Sequence, residues 1–416
     1  MILTARLVLP ISGPPLPNGG LVIQDGLIRA IGQTPALRRD FPGEPYESLG
    51  DAVLLPGLVN AHTHLELTGL QGRLPLGRSF SEWLLALLSL RPELDRAFYA
   101  ASSREGAAAS LRSGVTCVAD ITASGASLAS LKALGLRGIV YHEVLGPHPE
   151  QAGERLGSAE TALCALQAEA TGSLLSVGLS PHAPYSMSEA LLERCADLLR
   201  RTQLRATMHL AESSDEVTYI GLGLGPLATD LLPAVGRHAP SHRVCGESPT
   251  ALLARVGLLS EQMLAAHAVQ VGSSDLELLK EHAVALALCP RSNHHLRVGS
   301  APLPRYLAAR LRVGLGTDSL ASNETLSLWD EMRFALTAYG ETVTPTRLLT
   351  MATLGGAAAL GMADEIGSLE PGKRADIIGV GLDRLDDDDP YGSMLRHASE
   401  KSVILTMVDG KILHRG

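Results

Sequence analysis

Short apolar runs recur through the middle of the chain at 52–60, 114–120, 137–146, 174–181, 204–209, 263–269, 283–290 and 311–318. Longer segments separate them, and some of these, such as 102–113 and 188–201, are rich in Ala, Leu, Glu and Arg at helical spacing. Strands alternating with helices predict a parallel sheet. A count of eight predicts closure into a (β/α)8 TIM-type barrel. The other α/β solution is an open doubly wound sheet, but no glycine-rich dinucleotide fingerprint follows the first run.

The two ends follow a different pattern. Residues 21–31 read as two strands joined by Asp25-Gly26, a pair that favours a tight primed turn. Runs at 375–380 and 403–408, then Asp409-Gly410 and 411–414, repeat that pattern at the other terminus. Neither end has the apolar surface to stand alone. The expected organisation is a small composite β-sandwich from 1–50 and 366–416, beside a barrel over 51–365.

Composition narrows the class. The chain has 416 residues, 45% hydrophobic and 19% charged, which is the balance of a globular protein. A net charge of −9 with no long basic run argues against a nucleic-acid partner. Five scattered cysteines without a Cys-x-x-Cys pair argue against a disulfide framework or a cysteine zinc site. Residues 1–10 are interrupted by Arg6 and lack a signal peptide's charged start and longer apolar core. No run is long enough to span a membrane. The expectation is a cytoplasmic protein acting on a small molecule, with a homodimer as the base-rate assembly.

In such a barrel the chemistry sits where strands end. His62 and His64 close the first run, and residues two apart on a strand share a face. His182 follows the fourth run, His209 ends the fifth, His267 lies in the sixth, and Asp318 ends the eighth. His62, His64, His209 and Asp318 form an N3O set suited to one Zn²⁺, with Fe²⁺ the alternative. Such an ion lowers the pKa of water from 15.7 to roughly 7. Glu212, three residues beyond His209, is placed to carry a proton from that water to a leaving nitrogen. His267 and Asp318 are assigned to the water's proton and charge. The fourth run contains no lysine to bridge a second metal.

Substrate contacts are expected from His182. Glu66 is read either as a binder of a substrate amine or hydroxyl, or as half of a loop salt bridge. Trp83 is read as a ring-stacking residue or as core. Arg291 and Asn293 either reach the substrate or fix their loop. His142, Glu143, His294 and His295 fall near strand ends without an assigned role.

Several motifs carry a family resemblance. They are Pro56-Gly57-Leu58-Val59-Asn60-Ala61-His62-Thr63-His64, Ser180-Pro181-His182-Ala183-Pro184-Tyr185, His209-Leu210-Ala211-Glu212, Cys289-Pro290-Arg291-Ser292-Asn293 and Gly316-Thr317-Asp318-Ser319. Together they resemble the amidohydrolase superfamily, and within it the mononuclear cytosine/guanine/adenosine-type deaminases and the s-triazine chlorohydrolases. The resemblance implies one metal and hydrolytic displacement at an amidine-like ring carbon. It implies metal roles for His62, His64, His209 and Asp318, a proton shuttle at Glu212, and a place beside the water for His267. His64-Leu65-Glu66, the segment to Trp83, and Ser248-Pro249-Thr250 look like aminodeoxyfutalosine deaminases, although His294-His295-Leu296 departs from that pattern. The expected reaction is deamination of an adenine-like ring. The alternative is chlorohydrolase or cyclic-amide hydrolysis, and a non-catalytic barrel scaffold is the reading outside enzymes.

Overall fold

The computed structural model describes residues 1–416. Its central sheet consists of β1 (Leu58–Thr63), β2 (Val115–Thr122), β3 (Arg137–Val144), β4 (Leu175–Pro181), β5 (Ala206–Leu210), β6 (Met263–His267), β7 (Ala285–Leu288) and β8 (Val313–Leu315). The strands pair in chain order and all in parallel. The circle closes where the backbone N–H groups of Thr317 and Asp318 both donate to the His62 carbonyl, each at 3.0 Å. The Asn60 side chain reinforces that seam. It donates to Thr317 Oγ1 at 2.8 Å and accepts from Thr317 N at 3.1 Å. The predicted eight-stranded TIM-type barrel is therefore present.

The predicted first run, 52–60, is two strands. Ala52–Pro56 pairs antiparallel with Ile377–Gly381 in the terminal sheet, and only then does β1 begin. Gly57 makes the switch. A Cβ there would meet Thr116 Oγ1 at 2.1 Å, so only glycine admits that approach. Apolar residues continue through Pro56-Gly57, so hydropathy alone does not mark the change of partner. We propose Gly57 as the point where the terminal sheet hands over to the barrel.

The termini build two small sheets. One orders Leu27–Gln33, Gly19–Gln24, Ile2–Thr4 and Tyr46–Ser48. The other includes Lys411–Arg415, Val403–Val408, Ile377–Gly381 and Ala52–Pro56. Both Asp-Gly pairs form turns with positive φ, at Asp25 (52°), Gly26 (76°), Asp409 (51°) and Gly410 (76°). The two turns touch, since a Cβ on Gly410 would lie 2.9 Å from Gly26 Cα.

The helices follow from apolar spacing and caps. Glu189–Thr202, predicted over 188–201, is capped by Ser188 accepting from Leu191 N, and it buries Leu191, Leu192, Cys195 and Leu198. Arg96–Arg112 starts six residues before the predicted 102, because Asp95 caps it by accepting from Phe98 N. The main core has 85 buried residues. A separate cluster draws Val59, Cys117, Ile139, Leu264 and Ala287 from five strands, on the N-terminal side of the histidines. No helix is long and apolar enough to cross a membrane.

Candidate active site

His62 closes β1, and His64 lies just past it, where the chain enters the 3₁₀ turn Leu65–Leu70. His209 comes from β5. Ligand atoms of these three rings lie within 4.8 Å of one another. Asp318 Oδ1 is 3.7 Å from Nε2 of both His62 and His64. The predicted N3O set is thus brought to one place from positions up to 256 residues apart, counting from His62 to Asp318.

Neighbours orient each group. His209 Nδ1 donates to the His182 carbonyl at 2.9 Å, which leaves the Nε2 lone pair facing the cluster. Asp318 accepts from Ser292 Oγ (2.6 Å), Ser322 Oγ (2.7 Å) and Ser319 N (2.7 Å). His267 Nδ1 donates to Asn293 Oδ1 at 2.8 Å, so its Nε2 is an acceptor. Both nitrogens of His62 and Nε2 of His267 are buried without a partner. Unpaired buried nitrogens beside a carboxylate are what a cation-binding donor set leaves when the ion is taken away, so these residues fit a divalent metal.

Burial sets the charge states. It pushes His62 down to about 4 and His64 and His182 well below the usual imidazole value, which keeps them neutral. Burial opposes ionisation of Asp318. The surrounding imidazoles of His62, His267 and His64 outweigh burial and hold that carboxyl well below its usual range. Glu212 is pushed up to about 8 by burial, against the pull of His209, and so keeps a proton near neutrality. Its Oε1 is 3.7 Å from His267 Nδ1. One carboxyl held ionised and its neighbour held protonated is an arrangement suited to proton transfer.

Four of the twelve non-glycine residues with positive φ fall at these strand ends. Ala211 (φ 49°), His267 (67°), Ala268 (46°) and Asp318 (57°) all adopt left-handed conformations. For residues with a Cβ these cost roughly 1–3 kcal/mol each.

His64, His209, Glu212 and Asp318 share an inner pocket of about 60 Å³ with Glu66, Trp83, His182, Tyr185, Arg91 and Glu143. Trp83 donates Nε1–H to the Ala321 carbonyl at 2.9 Å and turns its ring to the wall. His182 Nδ1 lies 2.7 Å from Ser186 Oγ. Glu66 also reaches the wall, but its carboxylate accepts from Thr122 Oγ1, Ala123 N, Ser124 N and Ser124 Oγ at 2.7–3.2 Å. Arg291 lies outside the pocket, with its guanidinium on Thr325 and Glu324. Asn293 is also outside, behind His267, and lines a surface cleft with His294 and His295. An outer groove of about 660 Å³ adjoins the pocket and is lined by Leu84, Leu87, His142, Arg155, Leu231 and Val235, among others. Leu84, Leu87, Arg91, Glu143, His182 and Tyr185 line both spaces.

Sequence reasoning gave no sign of Arg91, Leu84 or Leu87, and assigned no role to Glu143 or to Tyr185, the last residue of the Ser180–Tyr185 motif. Arg91 donates to Glu143 Oε2 at 3.2 Å. Glu143 ends β3 and so carried a signal by position. Helix Phe80–Leu90, whose Ser79–Glu82 capping box marks its start, lies in a βα connection that periodicity does not tie to the pocket.

The chain belongs to the amidohydrolase family, whose model matches residues 53–413. It is 32% identical over 420 residues to a 5-methylthioadenosine/S-adenosylhomocysteine deaminase of Moorella thermoacetica, covering 98% of this chain and 92% of that one. It superposes on the aminofutalosine deaminase of Helicobacter pylori in complex with methylthio-coformycin with a TM-score of 0.89, at 26% identity and 99% coverage of both chains. An adenosine deaminase from Xanthomonas campestris with bound zinc gives a TM-score of 0.84 at 27% identity, covering 99% of this chain and 92% of that one.

Proposed function

We propose that this chain hydrolytically deaminates the adenine-type ring of a 5′-substituted nucleoside, with one zinc ion held by His62, His64, His209 and Asp318. The observation that carries this is the meeting of that donor set with a buried, protonated Glu212. When bound, the ion supplies Lewis acidity that brings the deprotonation of water towards neutral pH. Glu212 passes its proton to the ring nitrogen, is reprotonated by the proton that Asp318 takes from the attacking water, and passes that second proton to the departing ammonia. The remaining hydroxyl proton of the adduct restores Glu212 as the carbonyl forms. Asp318, fixed by three donors, takes up the proton of the attacking water. His267, held by Asn293, offers its Nε2 lone pair to orient the attacking water. A chloride leaving group needs no proton, so a shuttle at Glu212 favours an amine.

Size supports a substituted nucleoside. Ligand sites hold roughly 300–1,000 Å³, far more than the inner pocket's 60 Å³. The ring fits against the histidines only if the rest of the substrate runs into the apolar outer groove. Names of the relatives suggest 5′-methylthioadenosine, S-adenosylhomocysteine and aminodeoxyfutalosine as first candidates. Ammonia release from these three, adenosine and free adenine, using zinc-loaded protein, tests the proposal. The substituted nucleosides should turn over fastest. Turnover of a chlorinated triazine or cyclic amide with none of these would show the reaction class to be wrong.

A further inference from the structure

Cys289 follows β7 and is fully buried. The chemistry above gives it no part. Its Sγ and one ring nitrogen each of His62 and His267 lie within 4.8 Å of one another. Three strand ends converge there, at β1, β6 and β7. His267 spends Nδ1 on Asn293, so Nε2 is its available atom, and neither that atom nor the nitrogens of His62 have a partner. A tetrahedral ion with bonds of about 2.0–2.3 Å holds its ligand atoms roughly 3.3–3.8 Å apart. Side-chain movement of about an ångström therefore completes a frame around an ion.

We propose that His62, His267 and Cys289 form a second, sulfur-containing metal frame that captures a soft divalent ion such as Cd²⁺. The two frames share His62 and so exclude each other. Ligand softness divides them: the thiolate selects soft ions, while imidazole with carboxylate suits zinc or iron. On capture the S–H bond breaks, its proton passes to solvent, and the sulfur electron pair forms the metal bond. No electron is transferred. A captured ion withdraws His62 and His267 from the arrangement proposed above, so soft ions inhibit. That consequence rests on the proposed function, whereas the frame itself does not.

The test starts from full-length protein carrying Cys164→Ala and Cys245→Ala, which removes the two exposed thiols. Cd²⁺ is titrated into this zinc-loaded protein. Thiolate-to-cadmium absorbance in the ultraviolet is read together with released zinc. We expect a band that saturates at one Cd²⁺ per chain, one zinc displaced, and loss of the band on adding Cys289→Ala. Absence of the band, or its survival in Cys289→Ala, overturns the proposal. Should Cys289→Ala fail to fold, X-ray absorption at the cadmium edge of the parent protein decides. A sulfur neighbour supports the frame and an all-nitrogen/oxygen shell overturns it. Ammonia release is scored separately, so a protein that never deaminates would sink the function while leaving the sulfur ligation standing.

Discussion

Glu212 and His209 lie three residues apart, yet their substitution separates two roles. His209→Ala removes a ring whose Nε2 faces the cluster, so bound zinc, measured by elemental analysis, should fall well below one equivalent, and turnover should go with it. Glu212→Gln keeps the shape and the backbone N–H bond to Glu216 Oε2 but cannot shuttle a proton. It should retain zinc while losing roughly 10²–10⁴-fold in kcat. A Glu212→Gln protein with near-normal kcat would remove Glu212 from the mechanism. The residue scale also shows where sequence reasoning stopped. Glu66 sits beside His64 in the chain, but its hydrogen bonds go to residues 122–124. Which of the two roles offered for it applies depends on a loop more than fifty residues away, which adjacency does not reveal.

At the scale of elements, the strand ends were legible because parallel strands buried on both faces leave few places for histidine or aspartate. The break at Pro56-Gly57 was not, since it concerns a strand's partner and not its hydropathy. Another feature at this scale is the tie between β2 and the turn after His64. Asp120 Oδ1 accepts from Leu65 N at 2.8 Å, while Oδ2 has no partner. Burial pushes this carboxyl up from 3.8 to about 8. Between those values the folded chain keeps a proton that the unfolded chain has lost. Stability that is fully present below about pH 4 is therefore lost as pH rises through 8. Asp120→Asn mimics the protonated acid and keeps an acceptor for Leu65. Denaturant unfolding should find variant and parent similar at pH 4–5, with the variant more stable at pH 8–9 by an amount on the order of a few kcal/mol. Parallel pH profiles for the two proteins would show that Asp120 ionises normally.

For the whole molecule, the terminal sheets are joined to the barrel by an ion pair at the start of β3. Arg137 donates Nε to Asp376 Oδ2 at 2.8 Å and a second nitrogen to Oδ1 at 3.1 Å. Asp409 N donates to the same Oδ1 at 2.8 Å, so the C-terminal turn shares the carboxylate. Both charged side chains are buried, at 7% and 1% exposure, and removing one strands the other. Arg137→Met should cost about 3–5 kcal/mol by denaturant unfolding. The double change Arg137→Met with Asp376→Asn keeps an acceptor for Asp409 and should recover much of that loss. A single variant as stable as the parent would mean that the pair does not bind the two parts together.

By itself the sequence determined the alternation of strand and helix, the paired Asp-Gly turns at the two termini, and the polar residues that end the strands. Each of these follows from local chemistry: side-chain period, turn geometry and the cost of burying a polar group. Only the closed barrel decided which of those residues meet, because closure brings Asp318 back to His62 through backbone bonds between the first and last strands. Tertiary packing alone also raised Glu212, placed Asn293 behind His267, and added Arg91 and Glu143 to the pocket. Burial and through-space contact depend on chain segments whose separation in sequence carries no trace of their distance in space.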